Sequence, residues 1–425
     1  MAESAQDVRR IALGILQARL MDARQIQDEY RSVLGRDHNI RASCHIAQAP
    51  GNAPKNRYVN VLPYDHNRVL LRTGRSGLPS ASRASNGCSS SGSSSGGNSG
   101  HINYAAFGMG SSTAAAAPTP DYINASHVVH DDEQCGFSLR YIASQGPLAS
   151  TVPDFWRMVA SEDVGAVVML TNTVERGVSK CAAYYPQQAG TRLPLRQAAS
   201  GQQQQQQQHG SAQGGGTAVA VPVAGAGAGG ATAEADVDEV VTLNSRALLG
   251  GDLTQTQLAV LLSPAQPHAA PAAAQPPREV QVLHLRYNAW PDHGTPADSG
   301  AIRSLCDLLG PVREAGRGVV VHCSAGIGRT GTFVAIDVIR RRLQALSAAA
   351  AAAPGSVSPA AVQAALDLPE LVHSLRRQRC GMVQTFEQFA FCYQAVYEEL
   401  AAALHADQQQ QGQAEPGRGG GSRVR

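Results

Sequence analysis

The stretch that most constrains this chain is Val321-His322-Cys323-Ser324-Ala325-Gly326-Ile327-Gly328-Arg329-Thr330-Gly331-Thr332-Phe333. Before it, Gly318-Val319-Val320 is β-branched and reads as a short buried strand. After it, Val334 to Leu343 has apolar residues three and four apart and reads as a helix. A strand that stops, a small-residue loop and a helix that starts form an anion cradle. Successive amides from Ser324 to Arg329 can curl into a nest. The helix adds its unpaired amides and the positive end of its dipole. Gly326 and Gly328 allow backbone angles that a side chain would forbid.

Two side chains give the cradle a chemistry. A Cys323 thiol beside a helix N-terminus and a guanidinium should ionise below the roughly 8.5 of a free cysteine, and the thiolate is the nucleophile. Arg329 offers planar donors that match two oxygens of a phosphate. The bland alternative is a buried small hydrophobe next to an ordinary glycine turn. The combination of strand, cysteine, two glycines, arginine, Thr330 and helix argues against it. No Gly-Lys-Ser/Thr follows, which excludes a Walker A nucleotide loop.

The rest of the composition sets bounds. The 425 residues suffice for a large core, and a formal net charge of +2 implies no nucleic-acid or acidic-membrane partner. The 8 cysteines are scattered without Cys-x-x-Cys pairs. That argues against zinc and disulfide frameworks and for a reducing compartment. The start is acidic and polar, unlike a signal peptide, and no run of 18 strongly apolar residues is present.

The Cys323 loop resembles the active-site loop of the classical, cysteine-dependent protein tyrosine phosphatases. The resemblance implies a phosphocysteine intermediate on Cys323, with phosphate held by the amides of Ser324, Ala325, Gly326, Ile327, Gly328 and Arg329. It implies that the Thr330 hydroxyl stabilises the departing sulfur and that His322 orients the loop from behind. Lys55-Asn56-Arg57-Tyr58-Val59-Asn60 reads on its own as a basic turn entering a strand. It is similar to the family's phosphotyrosine-recognition loop, so Tyr58 would stack on the substrate ring and set the depth of the slot. Asn60 stands where some members carry Asp; its oxygen can accept a substrate N–H without the charge attraction.

Glu175-Arg176-Gly177-Val178-Ser179-Lys180-Cys181 is by itself a charged turn; it resembles the family's Glu loop, which would pair Glu175 with Arg329. Tyr184-Tyr185-Pro186 stands where Tyr-Trp-Pro is usual. Trp290-Pro291-Asp292-His293-Gly294-Thr295-Pro296 has the composition of a turn. Phenolate is a poor leaving group, so its oxygen needs an acid as the P–O bond breaks, and a carboxyl on a movable loop can supply it. The match to the family's mobile loop makes Asp292 that acid and then the base, with Trp290 and Pro291 as hinge and packing elements. Arg379-Cys380-Gly381-Met382-Val383-Gln384 resembles the Gln loop, which gives Gln384 the hydrolytic water and makes Gln388 the second glutamine.

The resemblance implies a single α/β catalytic domain over residues 8–404, a twisted mixed sheet flanked by helices, acting on phosphotyrosine-containing proteins in signalling with no metal or cofactor. Ser/Gly-, Gln- and Ala/Pro-rich stretches read as disordered insertions at about 73–119, 187–236, 263–277 and 348–361, with a disordered tail at 405–425. The Ala348–Ala353 run fits a helix extension equally well. Val8 to Leu34 reads as a packing helix; Asp238–Leu243 and Leu258–Leu262 read as short strands. A monomer in the cytoplasm, or the nucleus as well, is expected. Three rivals stand beside this reading. The Lys55–Tyr58 run argues against a dual-specificity phosphatase, whose slot would be shallower, and the uncharged Ser324–Gly328 loop argues against a phosphoinositide phosphatase. The presence of Cys323, Arg329 and Asp292 together argues against a module that only binds phosphotyrosine.

Overall fold

The computed structural model describes residues 2–72, 119–195, 236–263, 278–291 and 294–413. In chain order the first half holds α1 (Ala2–Met21), α2 (Ala23–Asp37), α3 (His45–Gln48), β1 (Arg68–Leu70), β2 (Tyr122–Asp132), β3 (Phe137–Ser144), α4 (Val152–Ser161) and β4 (Val164–Met169). Then come β5 (Val174–Glu175), β6 (Val178–Ser179), β7 (Arg192–Pro194), β8 (Asp236–Leu248), β9 (Leu253–Ser263) and β10 (Arg278–Tyr287). The last part holds α5 (Gly300–Leu308), α6 (Gly310–Glu314), β11 (Gly318–His322), α7 (Gly328–Ala352), α8 (Pro359–Ala365), α9 (Leu368–Arg376) and α10 (Phe386–Gln413).

Nine of the strands form one sheet in the order β1-β2-β3-β11-β4-β10-β9-β8-β7. The centre, β3-β11-β4-β10, is parallel, and both flanks are antiparallel. Parallel central strands need both faces covered, and their residues are correspondingly apolar throughout: Val164–Met169 is buried along its whole length. On one face lies the core of α7, α9, α10 and the N-terminal helices, with Phe333, Val334, Ile336, Val338 and Ile339 at its middle. On the other lies α4, whose Phe155 and Trp156 pack with Tyr184. The first half of helix α7 is buried nearly all round, from Gly328 to Arg340. Its one acidic core residue, Asp337, accepts from the Tyr141 hydroxyl at 2.5 Å and is paired with Arg313.

Several expectations need correction. Val8–Leu34 is two helices: Asp22 breaks the run and caps the second, accepting from the amides of Arg24 and Gln25. The 238–243 and 258–262 stretches belong to one long antiparallel ribbon, β8–β9. Residues 348–352 continue α7, because alanine carries the best helix propensity and α1 packs alongside; 359–365 form α8, capped by Ser358. Residues 192–194 are strand, paired to 239–241, and 405–413 continue α10, so the irregular stretches are shorter than composition alone indicates. The insertions at 73–118, 196–235 and 264–277 and the tail from 414 lie outside the described residues.

Candidate active site

Strand β11 ends between β3 and β4 with His322 opposite Ser144 and Met169, so the loop after it leaves from the carboxyl edge of three parallel strands. Gly326 sits at φ +73°, and a Cβ there would stand 2.1 Å from the Ser144 carbonyl oxygen, so only glycine lets the loop turn this close to β3. The first regular bond of α7 runs from the Gly331 amide to the Ile327 carbonyl at 2.9 Å. The amides of Gly328, Arg329 and Thr330 therefore precede the ladder, and that of Thr330 acts on the Cys323 sulfur.

The Cys323 sulfur lies inside that curl, 5% exposed, and accepts from the Gly326 amide at 3.3 Å. Burial raises its pKa, but this is outweighed by the Thr330 side chain and amide, the Arg329 charge and the Gly326 amide, and the net direction is down. The Thr330 hydroxyl has no well-formed hydrogen bond, yet it stands close enough to the sulfur to favour the thiolate.

Arg329 is held in place on two sides. Glu175 receives it with both oxygens, at 2.7 and 2.9 Å, and the carbonyls of Leu170 and Pro291 each accept at 3.0 Å. Glu175 is in turn oriented by the Thr171 hydroxyl and the Asn172 amide. The β5–β6 hairpin presents it through a two-residue turn, Arg176–Gly177, with both residues at positive φ. Deleting one member of such a desolvated pair costs about 3–5 kcal/mol, because the other charge stays buried.

Tyr58 meets the same loop: its hydroxyl and the Ser324 hydroxyl are 2.8 Å apart. Arg57 fixes the Tyr58 segment by donating to the carbonyls of Gly146, Pro147 and Ser179. The expected strand after Tyr58 is instead a turn, and Asn60 is exposed on it. Gln384 and Gln388 converge on Gly328. A Cβ at that glycine would stand 3.0 Å from Gln388 Nε2 and 3.2 Å from Gln384 Oε1. Trp290 is buried against Tyr287 and Phe391, and its indole N–H donates to the Gly294 carbonyl at 3.3 Å. Asp292 and His293 lie outside the described residues; the chain reaches them from Pro291, whose carbonyl rests on Arg329.

His322 is fully buried behind the loop. Its Nδ1 is 3.1 Å from the Cys323 carbonyl oxygen, and burial lowers its pKa to about 4. Sequence reasoning missed Arg379 as a functional residue. It is fully buried and donates to the carbonyls of Gly326 (2.8 Å) and Ala325 (3.0 Å), to Asn124 Oδ1 and to Ser126 Oγ. It thus takes up two loop carbonyls on the side away from the Cys323 sulfur's amide donors, Gly326 and Thr330. Its sequence signals are its place at the head of the Arg379–Gln384 run and the arginine-rich Arg376-Arg377-Gln378-Arg379 at the end of an amphipathic helix, and neither says what it holds.

A sulfur poised to ionise, an amide curl and a guanidinium clamped by a carboxylate define a class: α/β enzymes that bind an oxyanion over a cysteine nucleophile. The comparisons narrow it. The family model for protein-tyrosine phosphatase matches residues 52–211 and 267–398, more than half of the chain. The chain is 27% identical to the protein-tyrosine-phosphatase PTP1 of Arabidopsis thaliana over 92% of its own length and 84% of that protein. It is 29% identical to the human receptor-type tyrosine-protein phosphatase alpha over 84% of its length and 31% of that protein. It is also 27% identical to the human tyrosine-protein phosphatase non-receptor type 20 over 87% of its length and 60% of that protein. It therefore spans most of the first relative but less than two thirds of the other two. The chain belongs to the protein-tyrosine phosphatase family. Among the described residues, no helix is long and apolar enough to cross a membrane.

Proposed function

We propose that this chain hydrolyses phosphotyrosine in proteins through a phosphocysteine on Cys323. The observation that carries the proposal is the Cys323 sulfur inside the 323–329 curl, its pKa lowered, beside an Arg329 fixed by Glu175. The phosphate sits on the loop amides and Arg329. The thiolate attacks phosphorus; an S–P bond forms, the P–O bond to the phenol breaks, and Asp292 gives its proton to the leaving oxygen. Water held by Gln384, with Gln388 beside it, then attacks phosphorus. The S–P bond breaks, Asp292 takes the water's proton, and the Thr330 hydroxyl eases the sulfur's departure. Inorganic phosphate and a tyrosine side chain are the products.

Tyr58 standing against Ser324 supports phosphotyrosine as the substrate, since a wall beside the cradle keeps short phosphoserine from reaching the sulfur. Asn60 on the exposed turn is available to a substrate backbone N–H. A single catalytic domain over 8–404, a role in signalling and a cytoplasmic, monomeric protein complete the proposal. The test is a pair of peptides alike but for the phosphorylated residue. We expect kcat/KM on the phosphotyrosine peptide to exceed that on phosphoserine by several orders of magnitude; comparable values would overturn the assignment. Cys323→Ser and Asp292→Ala should hold phosphotyrosine proteins without turning them over.

A further inference from the structure

Behind the loop, a fully buried chain of three side chains runs across the strands on the α4 face of the sheet. The Tyr184 hydroxyl is 2.6 Å from His284 Nε2 and 2.7 Å from His322 Nε2, and His322 Nδ1 is 3.1 Å from the Cys323 carbonyl oxygen. The positions of the protons follow from counting. A carbonyl only accepts, so His322 Nδ1 carries a hydrogen. Burial keeps His322 neutral at physiological pH, so its Nε2 is bare and accepts the one proton of Tyr184. The Tyr184 oxygen can then only accept from His284, whose Nε2 must carry hydrogen. His284 is also kept neutral, by burial first and, with His322 uncharged, by the Arg286 charge, so its Nδ1 is bare. That atom is indeed buried without a partner. The reverse assignment would bury a charged His322 and leave an N–H of His284 unpaired, the costlier arrangement.

We propose that His284 is a positioning residue. From β10, the strand that leads to Trp290 and Pro291, it donates through Tyr184 to fix the tautomer of His322, and hence the donor on the Cys323 carbonyl. The Tyr185 ring lies against His284 with centroids 4.0 Å apart, tilted by 36°, and so limits the room the imidazole has to turn. The other titratable groups bearing on this chain are Arg286 at His284, Cys181, Tyr185 and Arg286 at Tyr184, and Arg57 at His322. The consequence for catalysis rests on Cys323 being the nucleophile; the tautomer assignment does not.

Both parts are tested in the full chain. In 15N-histidine spectra, His284 should be the Nε2–H tautomer and His322 the Nδ1–H tautomer; an Nδ1–H His284 or a charged His322 near neutral pH would overturn the proposal whatever the activity. On an aryl phosphate, His284→Leu should lower kcat about three- to tenfold, the scale of one buried hydrogen bond, and move the acidic limb of the pH profile upward. His284→Gln, which keeps an N–H near the Nε2 position, should restore both. His284→Asn, whose N–H falls at Nδ1, should not, and it replaces the leucine variant if that one fails to fold. In a Tyr184→Phe background, His284→Leu should add no further loss. Additive losses, or glutamine behaving like leucine, would show His284 to be only a packing residue.

Discussion

Cys323 is one thiol among several, and its surroundings alone set it apart. Burial pushes Cys44 and Cys135 up to about 11 and Cys181 up to about 12, whereas the Cys323 loop reverses the effect of burial. The sign is simple: a lowered pKa means more thiolate at a given pH, so reactivity persists at lower pH than for an ordinary thiol. Iodoacetate at about pH 6.5 should therefore label Cys323 first, as read by peptide mapping. Labelling that rises only near the pH of a free thiol would contradict the account. Cys323 and Arg329 were legible in the sequence because both stand in one contiguous loop, and Glu175 because its turn resembles a known motif. Arg379, Tyr184 and His284 were not. Each reaches the site from another element: Arg379 and Tyr184 stand in runs that resemble family motifs, but nothing in those runs says what their side chains touch, and no motif holds His284.

At the scale of elements, the loop is shaped by what surrounds it. Arg379, at the end of α9, takes up the carbonyls of Ala325 and Gly326, while β3 leaves room at Gly326 for no side chain. Arg379→Ala would leave those carbonyls unpaired, at about 1–3 kcal/mol each. We expect a lowered Tm together with weaker binding of vanadate, a phosphate analogue; a stable variant with unchanged vanadate affinity would refute the role. The central strands and α7 could be read from β-branched runs and helical spacing, since burial on both faces makes them nearly all apolar. Element ends could not. The break at Asp22 depends on a cap, and the 192–194 strand exists only because β8 offers an edge to pair with. The alanine run at 348–352 is helical because α7 was already there to be extended.

At the scale of the whole molecule, His284 and His322 are both fully buried in the core and neutral. The pKa of each is depressed below the ordinary 6.5, His322 to about 4 and His284 well below its ordinary value, chiefly by burial. The unfolded chain therefore binds protons that the folded chain refuses. Their contribution to stability is complete above about 6.5 and is lost as pH falls, by about 1.4 kcal/mol per pH unit for each histidine. Urea midpoints should drop between pH 7 and pH 5, and His284→Leu should remove one proton's share of the slope; an unchanged slope would contradict their neutrality. The sequence could place His322 beside the cysteine but not His284, because the two meet only once β10 and β11 are set on either side of β4. The most direct test of the central claim is to quench turnover in acid and locate the phosphate by mass spectrometry. A phosphocysteine on the Cys323 peptide is expected, more abundant in Gln384→Ala and absent in Cys323→Ser. Phosphate on another residue, or turnover that survives Cys323→Ser, would contradict it.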